Sequence, residues 1–176
     1  TTGTLNAAQK NTGIGIDTMD AITSGDRNAC IGFQAGTDLT TGVNNSLIGA
    51  QAGANIIGGS YHTYIGDTAG LTMASNHSST GIGRQALYAE TGGSNTAIGA
   101  KASYHNATGT FNVSLGNEAL EGVTGNSHSF NTAIGGKSCE VLTTGDYNIA
   151  LGYTAGDNIT SGSGNVVIGK ADVSSA

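Results

Sequence analysis

The chain has 176 residues, a formal net charge of −6 and 10% charged residues, far below the ~25% of ordinary soluble domains. Six Lys plus Arg make no basic stripe that could neutralise phosphates, which argues against a nucleic-acid partner. No apolar run approaches ~20 residues, so no membrane-spanning helix is expected. There are 30 glycines and no proline, so every backbone amide remains free to join a ladder.

In chain order, a short strand is predicted ahead of each of ten glycines: Gly15, Gly32, Gly49, Gly66, Gly83, Gly99, Gly116, Gly135, Gly152 and Gly169. Their spacings are 17, 17, 17, 17, 16, 17, 19, 17 and 17 residues. A period this short and regular marks a stacked-repeat architecture. One turn is too small to bury a face alone, so neighbours must stack. The expectation is an all-β fold: a parallel β-solenoid of about ten 17-residue turns, forming one unit over residues 1–176. Thr1-Thr2-Gly3 resembles the end of an earlier turn and Lys170 to Ala176 stop mid-turn. We therefore expect a segment of a longer fibre protein.

Each position is numbered from its glycine as zero. Minus one is Ile in eight turns and Leu in two. It is read as an inward aliphatic ladder containing Ile31, Ile48, Ile65, Ile98 and Ile134. Minus two leans apolar, with Cys30, Leu47, Tyr64, Ala97, Ala133, Ala150 and Val167. Neighbouring strand residues point to opposite faces, so minus two is expected outside, covered by another copy of the chain. Plus three is mostly Ala and is expected to be a tight place. Plus seven (Ile22, Leu39, Ile56, Met73, Val123, Leu142, Ile159) is expected as a second aliphatic ladder, broken by Glu90 and Asn106.

Plus ten reads Gly25, Gly42, Gly59, Asn76, Gly93, Gly109, Asn126, Gly145 and Gly162. Gly and Asn most readily accept positive φ, so a left-handed corner is predicted there, with all length variation after it. Minus four is Asn11, Asn28, Asn45, Asn95, Asn112, Asn131, Asn148 and Asn165, with His62 and Ser79 as exceptions. Stacked side-chain amides can bond along the axis, so a structural Asn ladder is expected.

The motif Asn131-Thr132-Ala133-Ile134-Gly135 through Thr143-Thr144-Gly145 resembles the NTAIG-type repeat of phage tail fibres and related surface fibres. Its Ala-Ile-Gly strand is also similar to the head repeats of trimeric autotransporter adhesins, which have a shorter period. The resemblance covers about Asn11 to Gly169. It implies a β-solenoid, an extracellular fibre on a virion or cell surface, and trimerisation. It implies no catalytic residues.

Little chemistry is read from the repeats themselves. His62, His77, His105 and His128 fall in different columns, without a Cys or carboxylate at metal-ligand spacing. Asp17, Asp20, Asp26, Asp38, Asp67 and Asp157 are scattered. Glu118 and Glu121 could lie close enough for glycosidase work, but no groove or acid from a neighbouring turn is expected. Cys30 and Cys139 sit six turns apart, ~29 Å at ~4.8 Å per turn, too far for a disulfide. They are expected as small buried groups. No cofactor or metal is expected.

The surface feature that stands out is aromatic. Tyr61, Phe111, Phe130 and Tyr147 occupy the place just before the minus-four corner, and His128 lies beside them. They are read either as packing over the corner or as contacts for a receptor or glycan. Tyr88 and Tyr104 form a second expected stack.

The functional expectation is a structural and adhesive extracellular fibre segment, homo-oligomeric and most simply trimeric, without catalysis. Its expected external partner is a cell-surface receptor or glycan. The alternative is an ice-binding β-solenoid, motivated by Thr23, Thr40, Thr91, Thr124, Thr143 and Thr160 at plus eight. A polysaccharide-degrading tailspike is the third reading.

Overall fold

A computed structural model describes residues 9–72 and 78–170. Met73, Asn76, His77 and both chain ends lie outside the described residues. Ten three-residue strands form one sheet: β1 (Thr12–Ile14), β2 (Ala29–Ile31), β3 (Ser46–Ile48), β4 (Thr63–Ile65), β5 (Thr80–Ile82), β6 (Thr96–Ile98), β7 (Val113–Leu115), β8 (Thr132–Ile134), β9 (Ile149–Leu151) and β10 (Val166–Ile168). Every strand pairs in parallel with the next, in sequence order. The chain is a β-solenoid, as the period predicts, and no helix occurs among the described residues.

Register holds across the irregular turns. Thr80 pairs with Thr96 over the 16-residue turn, and Val113 with Thr132 over the 19-residue one. The length change is absorbed before the corner, which corrects the sequence expectation. Gly92 and His128 occupy the corner, seven residues ahead of the next glycine, in place of Gly93 and Asn126. The neighbouring turn identifies them: a Cβ on Gly92 would meet the Gly109 carbonyl, and one on Gly109 would meet the His128 carbonyl. Asn126 is instead a buried bridge partner of Asn106.

The two faces of the strands are the reverse of the expectation. Cys30, Leu47, Tyr64, Ala97, Ala133 and Ala150 are fully buried, while Ile31, Ile48, Ile98 and Ile134 are 38–39% exposed. Strand parity explains it. Minus four, minus two and zero share one side of the strand, and the Asn ladder at minus four is inside. The interior of so small a turn takes Ala, Cys or Leu at minus two, opposite the fully buried plus-three alanines such as Ala35 and Ala52. The larger aliphatics at minus one are left outside.

Plus seven is buried at Ile22, Leu39, Ile56 and Leu142. Val123 is 48% exposed, because it lies in the lengthened turn. Glu90 and Asn106, expected to break this ladder, are both fully buried.

Corner backbone geometry also departs from expectation. Gly25, Gly42 and Gly145 do not have positive φ. Close approach, not φ, requires glycine there: a Cβ on Gly42 would fall on the Gly59 carbonyl and 2.7 Å from Leu39 Cδ1. Left-handed residues lie elsewhere. Plus two is left-handed with ordinary side chains, as at Gln34 and Gln51 (φ 54° each). The position before minus four is too, as at Tyr61 (φ 64°) and Phe130 (φ 60°).

Candidate functional site

Three features of the rod could carry function: the outward strand face, the aromatic edge and a polar group inside the fourth to sixth turns. Each follows from a column of the repeat.

The outward face consists of minus three and minus one. Minus three reads Thr12, Ala29, Ser46, Thr63, Thr80, Thr96, Val113, Thr132, Ile149 and Val166. Together with the aliphatics of minus one, these twenty positions hold no charged side chain. Ile14, Leu115 and Ile168 are 59%, 43% and 75% exposed. A solvated sheet face normally alternates inward apolar with outward polar residues. Here the outward face sets an unbroken aliphatic row at minus one beside a minus-three row of Ser, Thr and aliphatic residues.

The aromatic edge brings together three of the expected residues. Phe111 stacks on Phe130 at 5.4 Å between centroids and 7° between planes; Phe130 stacks on Tyr147 at 4.9 Å and 2°. All three are exposed, as is Tyr61, which lies three turns before Phe111 in the same column. The stacked faces cover one another, so only the outer faces of Phe111 and Tyr147 and the ring edges remain free. Tyr88 and Tyr104 form a second stack at 4.8 Å.

His128 does not belong to that edge. It is fully buried, which corrects its assignment as a contact residue. As the corner residue of its turn it offers its carbonyl to Asn112 Nδ2 at 2.7 Å, and its ring turns inward. Neither ring nitrogen has a partner among the described residues. Burial pushes its pKa down to about 4.

The Asn ladder is present, and it is buried from Asn28 to Asn148. Each rung's Oδ1 accepts the backbone amide of the next rung: Asn28 to Asn45 at 3.0 Å, Asn95 to Asn112 at 2.8 Å, Asn131 to Asn148 at 2.9 Å. Each Nδ2 donates to a corner carbonyl, as Asn28 does to Gly42 at 2.8 Å. At the ends, Asn11 bonds to the Gly25 carbonyl and the Asn28 amide, and the Asn165 amide and Nδ2 both donate to Asn148 Oδ1.

His62 and Ser79 continue this ladder. Asn45 Oδ1 accepts the His62 amide at 3.0 Å, His62 Nδ1 the Ser79 amide at 3.3 Å, and Ser79 Oγ the Asn95 amide at 3.2 Å. Ser79 cannot offer Asn95 Nδ2 the acceptor that an Asn would. Glu90 Oε1 takes that place, bonding to Asn95 Nδ2 and to Ser79 Oγ at 3.1 Å. Glu90 Oε2 receives the Tyr64 hydroxyl at 3.4 Å, and that hydroxyl lies 3.2 Å from His62 Nδ1. Room for the Tyr64 ring comes from Gly70 and Gly81; a Cβ on Gly70 would clash with the ring atoms Cδ2 and Cε2. Column reading missed this group. The signal was available: the exceptions at minus four and plus seven, and the large Tyr64 at minus two, all fall within consecutive turns.

The acids were expected to gain no partner from a neighbouring turn, yet Glu140 joins Glu118 and Glu121, their carboxylate oxygens within 4.8 Å of one another. Lys137 Nζ sits 3.1 Å from Glu118 and 2.9 Å from Glu140, and Lys101 Nζ 3.3 Å from Glu121. The hydrogen bond from Lys137 holds the Glu118 carboxyl below its ordinary range. These acids are ion-paired. Cys30 and Cys139 are buried free thiols, as expected, and burial raises them to about 12 and about 11.

The plus-eight hydroxyls of Thr23, Thr40, Thr91 and Thr143 are turned onto the next turn's backbone, Thr40 Oγ1 donating to the Ile57 carbonyl at 2.9 Å and Thr143 Oγ1 to that of Thr160 at 2.7 Å. Comparison of the chain with protein-family models, curated proteins and solved structures found no match.

Proposed function

We propose that the chain is a non-catalytic segment of an extracellular fibre, built from several copies of itself, most simply three. The observation that carries this reading is the outward face of β1 to β10. Its exposed aliphatics run the full length of the rod without one charge. An apolar stripe of this extent is normally covered. Another copy presents the same columns at the same ~4.8 Å spacing, so its side chains can interdigitate in register. The interface is therefore minus one and minus three, in place of the minus-two column expected from sequence. The resemblance to tail-fibre and adhesin repeats supports the same reading. The edge of Phe111, Phe130 and Tyr147, with Tyr61 apart from it, stays exposed and is the surface offered to a receptor or glycan.

Light scattering of the chain in solution tests the assembly. We expect a discrete oligomer, and Ile48→Asp with Ile98→Asp should shift it toward monomer while the β-sheet circular dichroism persists. A wild-type monomer would overturn the reading.

A second reading, an ice-binding solenoid, is favoured by the same face. Thr12, Thr63, Thr80, Thr96 and Thr132 alternate with isoleucine methyls, a flat array with ~4.8 Å between turns and roughly 6.8 Å along each strand. A monomer showing thermal hysteresis would establish it.

A further inference from the structure

Glu90 is fully buried in the middle of the rod, where the other turns carry an aliphatic residue at plus seven or, in the next turn, Asn106. Its carboxyl is met by donors on both oxygens. Ser79 Oγ and Asn95 Nδ2 reach Oε1, and Tyr64 Oη reaches Oε2. The Gly93 backbone amide also bonds to the carboxyl. Behind Tyr64 stands His62, whose Nδ1 accepts the Ser79 amide and lies 3.2 Å from Tyr64 Oη. Among the described residues these are the groups that face Glu90, and the titratable ones are Tyr64 and His62, whose Nδ1 is an acceptor. The donors suit an ionised carboxylate, whereas burial with no counter-charge among the described residues opposes ionisation.

We propose that the Glu90–Tyr64–His62 chain is a pH-sensitive joint in the rod, tight while Glu90 carries a proton and loosened when that proton leaves to solvent. The protonated carboxyl donates from Oε2 to Tyr64 Oη, and the Tyr64 proton turns to His62 Nδ1, sharing its lone pair with the Ser79 amide. On ionisation the Tyr64 proton turns back to Oε2, and a carboxylate that is hydrogen-bonded but cut off from solvent is left inside the coil. Because Glu90 also supplies the acceptor missing from the Ser79 rung, the effect falls on the ladder between Ser79 and Asn95. Burial raises the Glu90 carboxyl to about 7. Its folded pKa lies above its unfolded one, so the folded state holds more protons between those values. The stabilisation is complete below the unfolded pKa of about 4.3 and is lost as pH rises through about 7.

The test compares the full wild-type chain with Glu90→Gln by urea unfolding and amide exchange from pH 5 to 8.5. Gln keeps the Oε1 acceptor and mimics the neutral acid. Titration of His128 and the exposed acids is common to both chains and cancels. We expect the folding constant of wild type, relative to Glu90→Gln, to fall by up to about tenfold per pH unit as the window is crossed. Exchange at the Ser79 and Asn95 amides should quicken in parallel. A difference that is flat in pH, or one that favours wild type at high pH, would overturn the joint. If the variant does not fold, carbon NMR of wild type decides: a Glu90 carboxyl titrating near neutral pH supports the proposal, and one titrating at the ordinary glutamate value of about 4.3 sinks it.

Discussion

Asn28 Oδ1 accepts two hydrogen bonds from Asn45, one from its backbone amide and one from its side-chain Nδ2, each at 3.0 Å. Asn45 Nδ2 donates again, to the Gly59 carbonyl at 2.9 Å. One side chain thus ties three successive turns where no water reaches.

Asn45→Ala should therefore cost more than an ordinary polar deletion. It strands the His62 amide and the Gly59 carbonyl and removes one of the two bonds to Asn28 Oδ1, and each unsatisfied buried group costs about 1–3 kcal/mol. Asn45→Asp should be at least as severe, because it sets a buried carboxylate against the Gly59 carbonyl. Urea unfolding midpoints check both; a loss below about 1 kcal/mol would count against the ladder as a structural element.

Leu47 and Ile48 separate the two faces of one strand. Leu47 is fully buried and Ile48 is 38% exposed. Leu47→Ala should cost about 2–5 kcal/mol. In the isolated chain, Ile48→Ala should cost much less. Equal costs measured under dissociating conditions would contradict the assignment of minus two to the interior.

Gly42→Ala should be poorly tolerated although its φ suits alanine. The added Cβ meets the Gly59 carbonyl, so the two turns must separate. Gly42→Asn should be no milder than alanine, as contact rather than backbone conformation is limiting. A loss of several degrees in melting temperature for both variants is expected; rescue by Asn would restore the left-handed corner.

His128 gives a second pH dependence, of opposite sign to that of Glu90. Its folded pKa is depressed to about 4, below the ~6.5 of a free imidazole. The unfolded chain then binds more protons, so stability falls as pH drops from about 6.5 toward 4. The loss is on the order of 3 kcal/mol at full titration. His128→Gly, which restores the usual corner residue, should remove that acid sensitivity. Melting curves at pH 7 and pH 4.5 measure it; an unchanged acid sensitivity in the variant would refute it.

The period, the parallel stacking, the Asn ladder and the tight plus-three alanines were all legible in the sequence, because each is a local pattern repeated ten times. Repetition turns a weak preference into a firm one: one aliphatic-Gly pair means little, whereas ten at spacings of 16 to 19 residues leave only stacking. The exposed stack of Phe111, Phe130 and Tyr147 followed for the same reason. What the columns could not decide was which parity faces inward. Ile at minus one and Leu or Ala at minus two are both apolar, and strand alternation allows either. Tertiary structure decides it through volume and hydrogen bonding: the coil is narrow enough to favour small residues, and the Asn amides need the dry side. The corner glycines and the Glu90–Tyr64–His62 chain were hidden for a related reason. Both depend on what the adjacent turn places within contact distance, a carbonyl above Gly42 and an Asn95 amide beside Glu90, and distances of that kind exist only once the turns are stacked.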